Sequence, residues 1–136
     1  MKDSKVVHVS GKRKRAIGRA TLYSGSGIIK INNRLLDNYA QKIYKMKITE
    51  PLILAGDISN SVDIDIILAG GGIASQAEVS RLVIAKALVE YTQDEKLKQT
   101  FLDYDRNLLV ADVRRNEPAK PNRHGKARAK RQKSYR

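Results

Sequence analysis

An α+β domain followed by an extended basic tail is the architecture this sequence predicts, and three observations predict it. Val62-Asp63-Ile64-Asp65-Ile66 alternates apolar and polar residues strictly, the mark of a strand with one buried face. Beyond the triplet Gly70-Gly71-Gly72, a run to about Tyr91 places Ala77, Ser80, Ile84, Ala87, Leu88 and Tyr91 on one helical face. From Arg114 to Arg136 the chain carries 10 of its 27 Lys+Arg and a single carboxylate, Glu117, and offers a core nothing larger than alanine apart from Tyr135. The expected layers are a sheet covered by helices on one face.

The elements follow in order. Val6, Val7 and Val9 open an apolar run that should break at Ser10-Gly11, ahead of the basic cluster Lys12 to Arg15. Ala16 to Tyr23 reads as a strand, Ser24 to Gly27 as its turn, and Ile28 to Ile31 as a second strand ended by Asn32-Asn33. A short helical turn is expected around Leu35 to Tyr39. Another should follow Pro51, which suits the first helical position behind Thr49 or Glu50. The Ser75-x-x-Glu78 spacing predicts a capping box at the start of the long helix, and Lys86 and Glu90 an outward i,i+4 pair. Asp94 to about Asp103 is a further helix with Leu97, Phe101 and Leu102 as its buried stripe, and Leu108 to Ala111 a last short strand. With one Phe, no Trp and 5% aromatic residues, the core must be small and aliphatic.

Charge is unevenly placed. The net +13 divides into a surplus near 4 over residues 1–113 and about 9 in the tail. A body of ordinary charge with a cationic extension points to a dense polyanion. No apolar run approaches the roughly 20 residues of a membrane span, and the tail lacks a hydrophobic face for an interface, so no membrane partner is expected. Met1 to Ser10 is short and mixed and does not read as a secretory signal. The absence of cysteine excludes disulfides and Cys-based zinc sites. Pro118, Pro121 and Gly125 oppose regular structure, so residues 114–136 should be disordered until an anion orders them, and residues 1–113 are expected to form a globular domain that binds RNA or DNA. Fully extended, the tail reaches roughly 75 Å.

Candidate sites follow from this charge. Lys12, Arg13, Lys14 and Arg15 repel one another unless phosphates separate them, and Arg19 extends the patch along the strand, with Gly18 allowing close backbone approach. Arg114, Arg115, Lys120, Arg123, Lys126, Arg128, Lys130 and Arg131 continue it through the tail. Lys133, Tyr135 and Arg136 end the chain with a ring able to stack and a guanidinium able to pair with phosphate. Gly70, Gly71 and Gly72 precede a helix N-terminus but lack the Gly-Lys-Ser/Thr ending of a nucleotide loop, so a conformational role or RNA backbone approach is expected of them. Asp63 and Asp65 share a strand face but have no third ligand nearby, and His8 and His124 are isolated. No catalytic residue, cofactor, metal or small-molecule substrate is expected.

These pieces together resemble one family, the universal ninth protein of the small ribosomal subunit. Gly11-Lys12-Arg13-Lys14 with Arg19 is similar to its N-terminal motif. Gly70 to Ala77, with Arg81 and Ala85-Lys86-Ala87-Leu88, is similar to its central signature. Tyr104-Asp105-Arg106, Leu108 to Asp112, Arg114-Arg115 and Glu117-Pro118 resemble its lead into the tail, and Gln132 to Arg136 the archaeal and eukaryotic ending. Arg15 and the Ser134-Tyr135-Arg136 terminus depart from the bacterial form, and Pro121 to His124 departs from a more glycine-rich tail. The resemblance implies an α/β sandwich like the second domain of the fifth small-subunit protein, with a left-handed βαβ crossover. It implies a structural, non-enzymatic role in the cytoplasmic ribosome, binding to small-subunit rRNA in the head beside other head proteins, and a tail whose final Arg136 contacts P-site tRNA, with Tyr135 and Lys133 behind it. The alternative is a general nucleic-acid chaperone with a nonspecific basic tail; a small-molecule phosphotransferase would need a metal-binding carboxylate set.

Overall fold

The computed structural model describes residues 5–39 and 41–129. Five strands, β1 (Val7–Arg13), β2 (Ala16–Ser24), β3 (Ile29–Ile31), β4 (Arg34–Leu35) and β5 (Val62–Ala69), form one mixed sheet in the order β1-β2-β5-β3-β4. Among the described residues three α-helices, α1 (Lys42–Ala55), α2 (Ile73–Thr92) and α3 (Glu95–Tyr104), accompany the sheet. β1, β2 and β5 pair antiparallel, whereas β3 lies parallel to β5 and is joined to it by a βαβ crossover carrying α1.

Alternation builds the sheet. Ala16, Gly18, Ala20 and Leu22 of β2 and Val62, Ile64, Ile66 and Leu68 of β5 face the helices, while Ile17, Arg19, Ile67 and Ala69 stand on the open face. Phe101 of α3 and Leu108, both fully buried, join the same core. α2 packs on β1, β2 and both other helices, so its burial exceeds one face and takes in Val79, Arg81, Leu82, Val83 and Ala85 besides the expected residues. Its approach to the hairpin is close. Gly18 pairs with Gly11 across β1 and β2, and a Cβ at Gly18 would lie 2.4 Å from Val79 Cγ1. The space at Gly18 therefore admits a side chain of α2, where the sequence suggested a backbone.

Several expectations are corrected. β1 does not break at Ser10-Gly11 but runs on to Arg13, because Gly11 is paired in the ladder. Asn32-Asn33 does end β3, as expected, and does more: both residues are left-handed (φ 50° and 65°) and reverse the chain into β4. Pro51 sits inside α1, not at a helix start. Its missing N–H costs the helix a hydrogen bond, and burial of Ile48, Pro51, Leu52 and Ala55 offsets the loss. The Ser75–Glu78 capping box does not form: α2 begins at Ile73 behind Gly72, and Glu78 is drawn into ion pairs. Lys86 reaches the Ser10 carbonyl at 3.4 Å in place of Glu90. Leu108 to Ala111 is no strand; a 3-10 turn spans Arg106–Leu108 and the chain continues irregularly. Leu102 is only half-buried, whereas Asp94 caps α3 by accepting from the Lys96 amide at 2.9 Å.

The β2–β3 turn is held by Asp63. Its Oδ1 accepts the Ser26 and Ile28 amides, each at 2.9 Å. These bonds, the Ile28 amide first, hold its carboxyl below the ordinary 3.8 against the opposing effect of desolvation. A depressed carboxyl contributes stability that is fully present above the unfolded value and lost as pH falls through the folded one. Asp63→Asn should therefore flatten the decline in stability on acidification, read from urea unfolding at stepped pH from about 6 down to about 3; a variant as acid-sensitive as wild type would contradict this role. Gly18→Ala should destabilise by about 1–3 kcal/mol through overpacking against Val79, measured in the same assay; an unchanged midpoint would mean the helix is free to lift.

Candidate nucleic-acid interface

The basic cluster occupies the tip of the β1–β2 hairpin. Arg13 pairs with Ala16, which leaves Lys14-Arg15 as a two-residue turn with Lys14 in the left-handed region (φ 52°). Strand alternation sorts the cations. Lys12 and Arg19 stand on the open face of the sheet and Lys14 and Arg15 project from the turn, all four exposed. Among the described residues no carboxylate comes within ion-pairing distance of these four. Gly70 and Gly71 press against the other side of the turn: a Cβ at Gly70 would lie 2.6 Å from the Arg15 carbonyl oxygen, and both have positive φ (74° and 69°). Their role in the fold is to let the start of α2 lie against the hairpin tip. Gly72 meets nothing and caps α2 through its backbone.

Arg13 is different. Its side chain is only 18% exposed and bridges two carboxylates, Glu78 of α2 at 2.7 Å through Nε and Asp112 through Nη1. Lys47 of α1 takes the other oxygen of Glu78 at 3.0 Å. A second arginine repeats the arrangement: Arg81, 10% exposed, holds Glu50 of α1 at 2.7 Å and Asp105 at 3.0 Å. Burial pushes the Asp105 carboxyl up, but the Asn107 amide and Arg81 outweigh it and hold the group below the ordinary range. Asp112 is likewise lowered, by the Arg114 amide first and by Arg13, against desolvation. The guanidinium fork suits such two-sided pairing, and stranding one of these partly buried charges would be costly.

The tail begins where this lattice ends. Arg114 and Arg115 are exposed. Lys120 and Lys126 close a loop, the Lys120 amide donating to the Lys126 carbonyl at 3.2 Å, and Lys126 is exposed while Arg123 is half-buried. Arg128 folds back on Glu117 in a two-bond fork of 2.9 and 2.5 Å, an exposed pair that raises its pKa. Lys130, Arg131, Lys133, Tyr135 and Arg136 lie outside the described residues.

The remaining candidates are structural. Asp63 closes a turn, Asp65 accepts the Tyr23 hydroxyl at 3.3 Å, and His8 Nδ1 meets Thr21 Oγ1 at 3.1 Å. Among the described residues no group of three or more His, Cys, Asp or Glu could hold a metal ion, and no helix is long and apolar enough to cross a membrane. Sequence reasoning missed the partners of Arg13 and Arg81. One signal was present, since an arginine in the middle of the apolar stretch Val79 to Ala85 must find carboxylates when the helix packs.

Residues 11–136 match the family model of ribosomal protein S9/S16. The small ribosomal subunit protein uS9 of Methanococcus maripaludis strain C7 is 53% identical over 133 residues, covering 97% of this chain and 99% of that protein. The uS9 protein of Methanococcus vannielii is 52% identical with the same coverage. Such proteins are structural constituents of the cytoplasmic ribosome and not enzymes, and rRNA binding is typical of them. The hairpin motif, the glycine-led helix and the basic tail thus have one explanation: the chain belongs to the S9/S16 family, as an archaeal-type ninth protein of the small ribosomal subunit.

Proposed function

We propose that the chain binds rRNA in the head of the small subunit and extends its tail to P-site tRNA. The observation that carries this reading is the separation of charges at the hairpin tip. Lys12, Lys14, Arg15 and Arg19 are exposed without carboxylate partners among the described residues, while Arg13 beside them is committed inward. Unneutralised cations at close quarters favour a partner that brings phosphates, and counterion release supplies the driving force. Arg114, Arg115, Lys120, Arg123 and Lys126 continue the phosphate-binding line. Arg128 joins it by exchanging Glu117 for phosphate, and Lys130 and Arg131 follow. Lys133, Tyr135 and Arg136 meet the anticodon stem-loop, where a stacking ring and a terminal guanidinium suit a base and a phosphate.

Binding to small-subunit rRNA should fall by about 10³–10⁵ between roughly 50 and 200 mM salt if about 6–10 phosphates are contacted. Lys14→Gln and Arg15→Gln should each reduce the slope of log K against log salt by about one, in filter binding of the rRNA against a random RNA of equal length. Unchanged slopes would remove the tip from the interface, and equal affinity for both RNAs would favour a nonspecific chaperone. Deleting Arg136 should leave subunit assembly intact and weaken P-site tRNA retention; equal retention by wild-type and shortened subunits would exclude the tRNA contact.

A further inference from the structure

Two body arginines grip the chain on its way out of the domain, and they do so in the same manner. Asp105 accepts the Asn107 amide at 2.9 Å through Oδ1 and presents Oδ2 to Arg81. Asp112, seven positions on, accepts the Arg114 amide at 2.9 Å through Oδ1 and presents Oδ2 to Arg13. In each case one carboxylate oxygen sets a local turn and the other ties that turn to a guanidinium. Each guanidinium is in turn braced by a glutamate on a packed helix, Glu50 for Arg81 and Glu78 for Arg13. Between the two clamps lies the buried Leu108; after the second, Val113 is 89% exposed and the basic tail begins.

We propose that Arg13 is a positioning residue for the tail. Although it stands in the middle of the cationic hairpin motif, its guanidinium holds Asp112 against α2 and so determines the place and direction in which Arg114 leaves the body. Two features distinguish this from an ordinary surface ion pair. Arg13 is turned to the helix side of the sheet and largely withdrawn from water, so its fork is weakly screened. And Asp112 cannot turn away from Arg13 without also disturbing its bond to the Arg114 amide, which couples the clamp to the backbone direction of the tail. A lysine at position 13 could satisfy one carboxylate at a time but not both in fixed geometry. The inference deepens the reading above, yet its test does not depend on what the tail contacts.

The chain has no cysteine, so two can be introduced for spin labels, Lys30→Cys on the sheet and Arg115→Cys just past the clamp. Electron–electron distance measurement on the full-length free protein should give one narrow distribution in the otherwise wild-type background. Arg13→Gln should broaden it by about twofold or more, as expected when a segment loses its tether, and Arg13→Lys should give an intermediate width. Lys12→Gln, its neighbour in the same motif, should leave the width unchanged. Circular dichroism checks the fold of each variant. If Arg13→Gln fails to fold, Asp112→Asn, which weakens the clamp from the tail side, is expected to broaden the distribution in its place. A wild-type width in a folded Arg13→Gln or Asp112→Asn protein would overturn the proposal, and so would equal broadening by Lys12→Gln.

Discussion

The close seat of α2 on the β1–β2 hairpin is the constraint on which the rest of the molecule depends. Gly11 and Gly18 face each other across the two strands and leave room for Val79, Leu82 and Val83, so the helix lies nearer the sheet than side chains at those positions would allow. Gly70 and Gly71 bring the start of the same helix against Arg15 and Ala16. Once α2 is fixed there, its polar positions are fixed too. Glu78 comes to the end of β1, where Arg13 meets it, and Arg81 comes between α1 and the segment after α3. A packing relation between small residues thus sets the geometry of a charge lattice.

That lattice neutralises internally part of the charge of a chain whose net charge is +13. Arg13, Lys47 and Arg81 are consumed internally by Glu50, Glu78, Asp105 and Asp112. Four of the body's carboxylates are drawn in around Arg13 and Arg81, and among the described residues none pairs with Lys12, Lys14, Arg15 or Arg19 at the hairpin tip. Electrostatic self-repulsion is confined to parts that project from the core, where solvent and counterions screen it. The same division separates cations that build the domain from cations free to meet RNA.

Much of this fold was legible in the sequence. β2, β5 and α3 follow from local periodicity and a single Asp cap, and α2 from its long apolar stretch. The features that escaped depend on tertiary contacts. Pro51 signals a helix start until Ile48 and Leu52 pack against α2 and carry the helix through it. Ser75 and Glu78 have capping-box spacing, but Glu78 is worth more to two cations than to a backbone amide. The two-residue β4 is too short for any alternation to show. For the site, the exposure of Lys12, Lys14, Arg15 and Arg19 follows from charge density alone. The inward turn of Arg13 does not, because Glu78 and Asp112 lie far along the chain and only folding brings them to it.

The clamp at Asp112 has a geometric corollary. Because Arg13 is the last residue of β1, the root of the tail emerges beside the hairpin tip, and two basic arms spring from one corner of the domain. If both bind RNA as proposed, their binding is multivalent. Once the tip has engaged an RNA junction, the first tail contacts become intramolecular, at an effective concentration on the order of millimolar for a short flexible link. Neither arm needs high affinity by itself. A chelate of this kind is slow to leave yet can be assembled one contact at a time.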